Sequence, residues 1–279
     1  MQILRFGTGG IPLSTRERST YAGVERIREL GLDCMELEFV HGVRLKEDEA
    51  RRIGERAKEL DVRLSAHGPY YINLASLEAP KIGASRGMLV QTAQACSWLG
   101  ADRFTFHAAF YQERDKSRIY EMVREQIQKI RDTLVEEGIE NVRIDPELTG
   151  KATQFGDLTE LIALAKEIKG VQFCVDFAHA QARSGGEVNG YDDFAAMLQQ
   201  IKDGLGQDAL NDMHIHMSGI NFTAKGERNH LVLENADIDW QGLLRALKDF
   251  DVGGLVICES PNLEEDAMKM QKCYNSMMA

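Results

Sequence analysis

Six short β-rich segments of the chain each end in a residue that can bind a metal ion. These residues are His67, His107, Glu147, Asp176, His214 and Glu259. Successive members lie 29 to 45 residues apart, which is close to the length of one strand followed by one helix. If the strands are parallel neighbours in one sheet, their carboxyl ends lie on one face. We therefore predict that the six side chains converge in a single metal site.

The types of these residues indicate which metals the site would hold. Imidazole and carboxylate ligands without a thiolate suit zinc or manganese, and they argue against a structural zinc site built from cysteines. Glu147, Asp176 and Glu259 each end an otherwise apolar strand, where a charge is costly unless a metal or a basic residue neutralises it. Several carboxylates in one site can also bridge two metals, as in phosphoester hydrolysis. Salt bridges to nearby Arg or Lys are the alternative explanation.

Short β-rich runs alternate with amphipathic helices along the chain, and no long linker interrupts the alternation. The predicted strands are 2–7, 34–40, 62–67, 103–109, 142–148, 171–178, 211–217 and 254–259. Eight strand–helix units favour a closed (β/α)8 TIM barrel over an open doubly wound sheet, with residues 1–279 as one domain. Two loops that would overhang the carboxyl face are long, from Gly68 to Pro80 and from Ser218 to Ile238. Glu36 and Glu38 lie on the second strand, and neither is assigned a role.

The composition narrows the class of protein. Hydrophobic residues make up 43% and charged residues 28%, which is typical of a globular protein with a substantial core. The net charge of −11 disfavours a surface generally covered by nucleic acid, but it allows a local basic rim around a cleft. Five cysteines without a C-x-x-C pair predict a reducing, cytoplasmic setting. No targeting segment or membrane span is predicted, and we expect a monomer.

Several motifs then occur in a fixed order. They are His67-Gly68-Pro69-Tyr70-Tyr71-Ile72-Asn73-Leu74, the strand-end His107, Glu147-Leu148-Thr149-Gly150, Asp176-Phe177-Ala178-His179, Met213-His214 and Cys258-Glu259. In this order and near this spacing they resemble the endonuclease IV family of apurinic/apyrimidinic endonucleases, within the xylose isomerase-like TIM barrel superfamily. Each motif alone is weak, whereas the ordered set is specific. The resemblance covers nearly the whole chain.

The resemblance implies a barrel with a trinuclear zinc cluster that cleaves double-stranded DNA on the 5′ side of an abasic site, in DNA repair. The ligands that it implies are His67, His107 and the bridging Glu147 for the first zinc, Asp176, His214 and Glu259 for the second, and His179, His230 and Glu227 for the third. Glu147 is also expected to position the reacting water, and Tyr70 to insert beside the flipped-out nucleotide. We therefore expect two to three zinc ions per chain, with manganese as the other candidate metal and damaged DNA as the partner.

The chain departs from the family pattern at two places. The family supplies an Asp-x-His pair to the third zinc, whereas here Glu227 and His230 are three residues apart. The seventh strand also carries two histidines on one face, His214 and His216. The residues before His214 match the family, so we expect His214 to bind the metal and His216 to lie behind it.

Two other classes of function remain open. Sugar isomerases and epimerases of the same superfamily need only one divalent metal, held by Glu147, Asp176, His214 and Glu259. A non-catalytic barrel that retains metal sites is a third hypothesis. The further histidines at 67, 107, 179 and 230 favour the nuclease, because a one-metal epimerase has no use for them.

Overall fold

A computed structural model describes residues 2–278 of the chain. The strands are β1 (Leu4–Gly9), β2 (Cys34–Glu38), β3 (Arg63–His67), β4 (Arg103–Phe106), β5 (Arg143–Pro146), β6 (Cys174–Asp176), β7 (Met213–Met217), β8 (Gly219–Thr223), β9 (Gly226–Leu231) and β10 (Gly254–Cys258). The helices are α1 (Thr20–Glu29), α2 (Glu47–Glu59), α3 (Ala79–Leu99), α4 (Lys116–Glu136), α5 (Leu158–Glu167), α6 (Phe177–Arg183), α7 (Tyr191–Leu205), α8 (Trp240–Asp249) and α9 (Glu264–Met278).

Eight of the strands form one parallel sheet that closes on itself. Its order is β5-β4-β3-β2-β1-β10-β7-β6. Two parallel bridges join the ends of this series, Ile144 with Val171 and Glu147 with Cys174. The fold is therefore a single (β/α)8 TIM barrel, as predicted, and all eight predicted barrel strands are present.

The outer helices follow the amphipathic pattern that a barrel requires, and α2 is a clear example. Ala50, Ile53 and Ala57 recur at three- and four-residue spacing and are buried against the sheet. Glu47, Asp48 and Glu49 occupy its first turn, where negative charge is favoured by the helix dipole. Such helices cover the outside of the strands, so that only the strand ends and the loops after them face solvent.

The inside of the barrel is polar along much of its length. At its amino-terminal end three arginines, Arg63, Arg103 and Arg143, surround Asp212. Arg103 is only 1% exposed, although it carries a full charge. Buried charges of this kind persist when they are paired, and Asp102 provides a second carboxylate for Arg63 and Arg103.

The long segment after β7 differs from the sequence-based prediction of a loop. It contains the antiparallel hairpin β8–β9, which packs on α6 at the carboxyl face of the barrel. The short helix α6, which starts directly after Asp176, was also not predicted. Among residues 2–278, no helix combines the length and the apolarity that crossing a membrane would need.

Candidate metal centre

Glu147 lies at the centre of the predicted site, one residue past the end of β5. Its carboxylate Oε2 lies 3.2 Å from Nε2 of His67, and its Oε1 lies 3.2 Å from Nε2 of His107. Oε1 is also 2.9 Å from Nδ1 of His179. His67 ends β3, His107 directly follows β4, and His179 lies in α6 after β6, so one carboxylate joins ligand candidates from three strand–helix units. This is the position expected of a bridging ligand.

The two histidines of β7 have the opposite places from those expected. His216 pairs in register with Asp176 at the carboxyl end, and its Nδ1 lies 3.4 Å from Oε2 of Glu259 and 3.7 Å from Oε2 of Glu147. His214 lies two residues deeper in the barrel, between Glu36 and Asp145. The structure therefore places His216, and not His214 as expected, beside Glu147 and Asp176 at the mouth. The direction of β7 explains this order, because His216 is nearer the carboxyl end of the strand and the carboxyl ends form the mouth of the barrel.

The hairpin brings Glu227 and His230 to the same place despite their three-residue spacing. Its register shifts between Asn221 and Phe222, so that Arg228 is an extra residue on β9. An extra residue shifts the alternation of side chains along a strand by one position. Glu227 and His230 can therefore lie on the same side of β9 although they are three residues apart. Oε2 of Glu227 is 3.5 Å from Nε2 of His179, and the rings of His179 and His230 are 5.9 Å apart. The altered spacing in this loop is thus compensated by the backbone.

The hairpin reaches the site through a close backbone approach at Gly150. The backbone N–H of Glu227 donates to the carbonyl of Gly150 over 3.1 Å. A Cβ atom at Gly150 would lie 2.6 Å from Oε2 of Glu227 and 2.9 Å from Cδ2 of His179. Gly226 has a φ of +92° and would place a Cβ 2.5 Å from the Gly150 carbonyl oxygen. Both positions therefore require glycine.

We expect Gly150→Ala to displace Glu227 from His179 and to release one metal ion per chain, while the barrel stays folded. The reason is that the new methyl group would occupy the space of the Glu227 carboxylate. Elemental analysis after gel filtration measures the loss. Gly87→Ala is the matched control, because nothing lies within 4 Å of a Cβ placed there. An unchanged metal content in the Gly150 variant would contradict the hairpin's role in the site.

Buried charges shift the acidity of the site strongly. Burial alone would lower the pKa of His67, but the contact with Glu147 and the charge of Glu38 raise its pKa to about 10. The pKa of His179 also rises to about 10, because Asp176 and Glu147 outweigh its burial. Burial opposes ionisation of Glu147, yet His107 and His216 hold its pKa well below the ordinary value. The protein without metal thus stabilises protonated histidines beside ionised carboxylates.

The donor set fits divalent metal ions. Three groups bring one ligand atom from each member within 4.8 Å of one another: His67, His107 and Glu147; Glu147, Asp176 and His216; and Asp176, His179 and His230. Oδ2 of Asp176, Nδ1 of His216 and Oε2 of Glu227 are buried without a hydrogen-bond partner. Buried polar atoms normally have a partner, so lone pairs that converge in this way indicate a cation between them.

A fourth group, Cys174, His214 and His216, lies below these three. Burial raises the pKa of the Cys174 thiol well above its ordinary value. The three groups at the mouth of the barrel are the ones made of the predicted ligand types, imidazole and carboxylate.

Metal binding to the metal-free protein is expected to release about two protons at pH 7, because His67 and His179 must give up protons that they hold up to about pH 10. Affinity should consequently rise with pH between 6 and 9. Titration calorimetry in buffers of different ionisation enthalpy measures the proton release. A heat of binding independent of the buffer would show that these histidines are neutral before the metal binds.

The rim of the barrel mouth carries exposed aromatic and basic side chains. Tyr70 is 58% exposed, and its ring lies 5.6 Å from the ring of His67 in an edge-to-face arrangement. Tyr71 is also exposed and lies beside His41. The segments that follow β1 and β2 carry the exposed residues Arg16, Arg18 and Arg44, and the hairpin β8–β9 carries the exposed Lys225 and Arg228. A flat aromatic ring therefore stands directly beside the metal centre.

These features define a TIM barrel with a polar cluster of candidate metal ligands at the carboxyl ends of its strands. Residues 24–277 match the family of xylose isomerase-like TIM barrels. An uncharacterized protein of Methanocaldococcus jannaschii is 42% identical over 275 residues, which are 99% of this chain and 98% of that protein. The chain belongs to the xylose isomerase-like TIM barrel family, whose relatives include endonucleases and sugar epimerases.

Two solved structures with different names have a similar fold. Endonuclease IV from Thermus thermophilus has a TM-score of 0.73 at 20% identity, with 98% of each chain covered. A D-tagatose 3-epimerase-like protein has the same TM-score of 0.73 at 16% identity, covering 100% of this chain and 97% of that one. At these identities the likeness shows the fold, so function has to be argued from the site.

Sequence reasoning named three residues of the interior without giving them a role as ligands: His216, Glu36 and Glu38. The signal for Glu36 was its place between Met35 and Leu37 in an apolar strand, the same criterion that selected Glu147. Glu38 ends β2 in register with His67, and burial raises its pKa to about 8. Its position at a strand end is the same as that of the predicted ligands.

Proposed function

We propose that the protein is a metal-dependent phosphodiesterase that cleaves DNA on the 5′ side of an abasic site, with zinc as its metal. One observation carries the proposal: three overlapping groups of ligand atoms meet around Glu147 and Asp176. A one-metal sugar epimerase would need only one of these groups. The third group combines Asp176 and His179 with His230, which lies on the hairpin β8–β9.

In this proposal the ligand side chains hold the metal ions, and Glu147 also orients the reacting water. Divalent ions at such a site supply Lewis acidity and lower the pKa of water, which phosphodiester hydrolysis requires. Glu147 contacts His67, His107 and His179 at once, so it fixes the distances between the groups. Because its pKa is held low, Glu147 stays ionised and can orient a water molecule by accepting a hydrogen bond.

Tyr70 and the basic rim would provide recognition of the DNA. An exposed ring next to His67 can stack in the gap that a flipped-out nucleotide leaves, and base–aromatic stacking is worth about 1–3 kcal/mol. Lys225 and Arg228 lie on the same hairpin as the third ligand group, so phosphates bound there would be close to the metals. A local rim of this kind is compatible with the net charge of −11.

The test is cleavage of a duplex that contains a single abasic analogue, beside the same duplex without damage. We expect incision at the analogue alone, two to three zinc ions per chain, and loss of incision in His107→Ala with circular dichroism unchanged. Metal content and incision are measured on the same preparation. A protein that carries three zinc ions but leaves the damaged duplex intact would refute the proposal.

A ketose epimerase with one divalent metal is the second candidate. It is favoured by the two carboxylates that approach Nδ1 of His216, Oε2 of Glu259 at 3.4 Å and Oε2 of Glu147 at 3.7 Å. Two carboxylates on one site can pass a proton between the faces of a sugar carbon. A single manganese or magnesium ion per chain, with exchange of the substrate's carbon-bound proton in deuterium oxide, would favour this function.

A further inference from the structure

Glu36 is a buried carboxylate that links both histidines of β7. It is 0% exposed, and it crosses the interior of the barrel from β2 to β7, with β1 and β10 between them in the sheet. Its Oε2 lies 2.8 Å from Nε2 of His214, and its Oε1 lies 2.8 Å from Nε2 of His216. Ser65 also donates its hydroxyl to Oε2 over 2.6 Å. One carboxylate therefore serves two imidazole rings.

A second carboxylate fixes the far side of His214. Nδ1 of His214 lies 3.3 Å from Oδ2 of Asp145. Asp145 is held in turn by two hydrogen bonds from Arg143, at 2.8 and 2.9 Å. Glu36, Asp145, His214 and His216 are 0% exposed and Arg143 is partly exposed, and together they form a continuous chain of alternating basic and acidic groups. The chain runs from the arginine cluster at the amino-terminal end to Glu36 below the metal centre.

His216 is the last member of this chain. Its Nε2 and Oε1 of Glu36 are buried and 2.8 Å apart, and neither atom makes a hydrogen bond of regular geometry within residues 2–278. A carboxylate without a proton can only accept, so a pairing of these atoms needs the proton on Nε2. Nδ1 then carries the free lone pair, and it faces Glu259 and Glu147.

We infer that Glu36 is the positioning residue of His216, which fixes the ring and its tautomer so that Nδ1 binds the metal. Carboxylates behind metal-binding histidines act in this way in other proteins, and their loss typically costs about 10- to 100-fold in metal affinity. The inference rests on the metal centre of the proposed function, and it adds which atom binds and what holds it. Asp145 and Arg143 act one step further back, through His214.

The two-sided contact explains why glutamate fits here. Aspartate is one methylene shorter and cannot span the same distance from β2. Glutamine has the right length, but its amide offers one acceptor and one donor where both histidines present a nitrogen that needs an acceptor. Glu36→Gln therefore changes the hydrogen bonding of this residue and preserves its volume.

The inference is tested by titrating the metal-free protein with Co²⁺ and following its visible absorption. We expect Glu36→Gln to weaken one of the sites by about 10- to 100-fold and to alter its spectrum, with the other sites unchanged. Ser65→Ala is the control, because Ser65 contacts Glu36 but neither histidine, and it should stay close to wild type. Equal affinities and spectra for Glu36→Gln and wild type would overturn the inference.

A second measurement needs no variant and so does not depend on whether Glu36→Gln folds. In wild-type protein loaded with ¹¹³Cd, ¹⁵N spectra of histidine show which ring nitrogen couples to the metal. We expect coupling at Nδ1 of His216 and a proton at Nε2, whereas coupling at Nε2 would overturn the inference. Both readouts are independent of DNA cleavage, so a protein that binds through Nδ1 but cleaves nothing would refute only the proposed function.

Discussion

Glu147→Gln is expected to remove nearly all phosphodiester cleavage, by a factor of about 10³ or more. Loss of metal-based charge stabilisation costs several kcal/mol, and each 1.36 kcal/mol is about tenfold in rate. The side chain is 1% exposed and contacts three histidines, so the amide would remove a buried negative charge and put an NH2 group in place of one of the two oxygens that face His67 and His107. Metal content should fall with the rate, because Glu147 belongs to two of the three ligand groups.

Single-turnover cleavage of the abasic duplex and elemental analysis together measure this effect. Glu160→Gln is a matched control, since Glu160 accepts hydrogen bonds in the capping box of α5, a role that glutamine also fills. The control should retain rate and metal. If Glu147→Gln kept both as well, Glu147 would be a structural residue and the centre of the site would lie elsewhere.

The second large effect concerns the two histidines of β7. We expect His216→Ala to lose one metal ion per chain and to slow cleavage by roughly 10²- to 10³-fold, a loss of about 3–4 kcal/mol. His214→Ala should keep the full number of metals when they are in excess, because His214 faces Glu36 and Asp145 rather than the mouth. Its defect should be a weaker affinity.

Elemental analysis at saturating zinc separates the two variants. The pair is informative because both histidines lie on one face of one strand and both are fully buried. Loss of a metal in the His214 variant, with none lost in the His216 variant, would restore the order expected from sequence and contradict the geometry.

The fold was predictable because the sequence shows both the apolar runs of barrel strands and the three- to four-residue periodicity of the outer helices. Strands with apolar runs alternate with helices such as α2, whose buried residues recur every three or four positions. The convergence of His67, His107 and Glu147 followed from the same pattern, since parallel strands present their carboxyl ends together. Their assignment as metal ligands stays a prediction.

The parts that could not be predicted depend on register and on long-range packing. Whether His214 or His216 reaches the mouth is decided by how far β7 extends relative to β6, which the residue pattern of β7 does not encode. The hairpin β8–β9 escaped notice because its residues are mostly polar, without the alternation of a half-buried strand. The extra residue at Arg228 becomes meaningful only once Asn221 and Asn229 are known to pair.

The polar interior of the barrel also has a consequence for how the chain folds. Glu36 meets His214 across 178 residues of sequence, and Arg63 meets Asp212 across 149. Contacts so distant along the chain form late, since the entropy of closing a long loop must be paid before they contribute. In a half-barrel, Glu36 and Arg63 would lack the partners that the other half of the chain supplies, so the half-barrel would not be stabilised by these contacts. Separately expressed halves should therefore gain little structure until they are mixed, and ring closure should be the slow, cooperative step of folding.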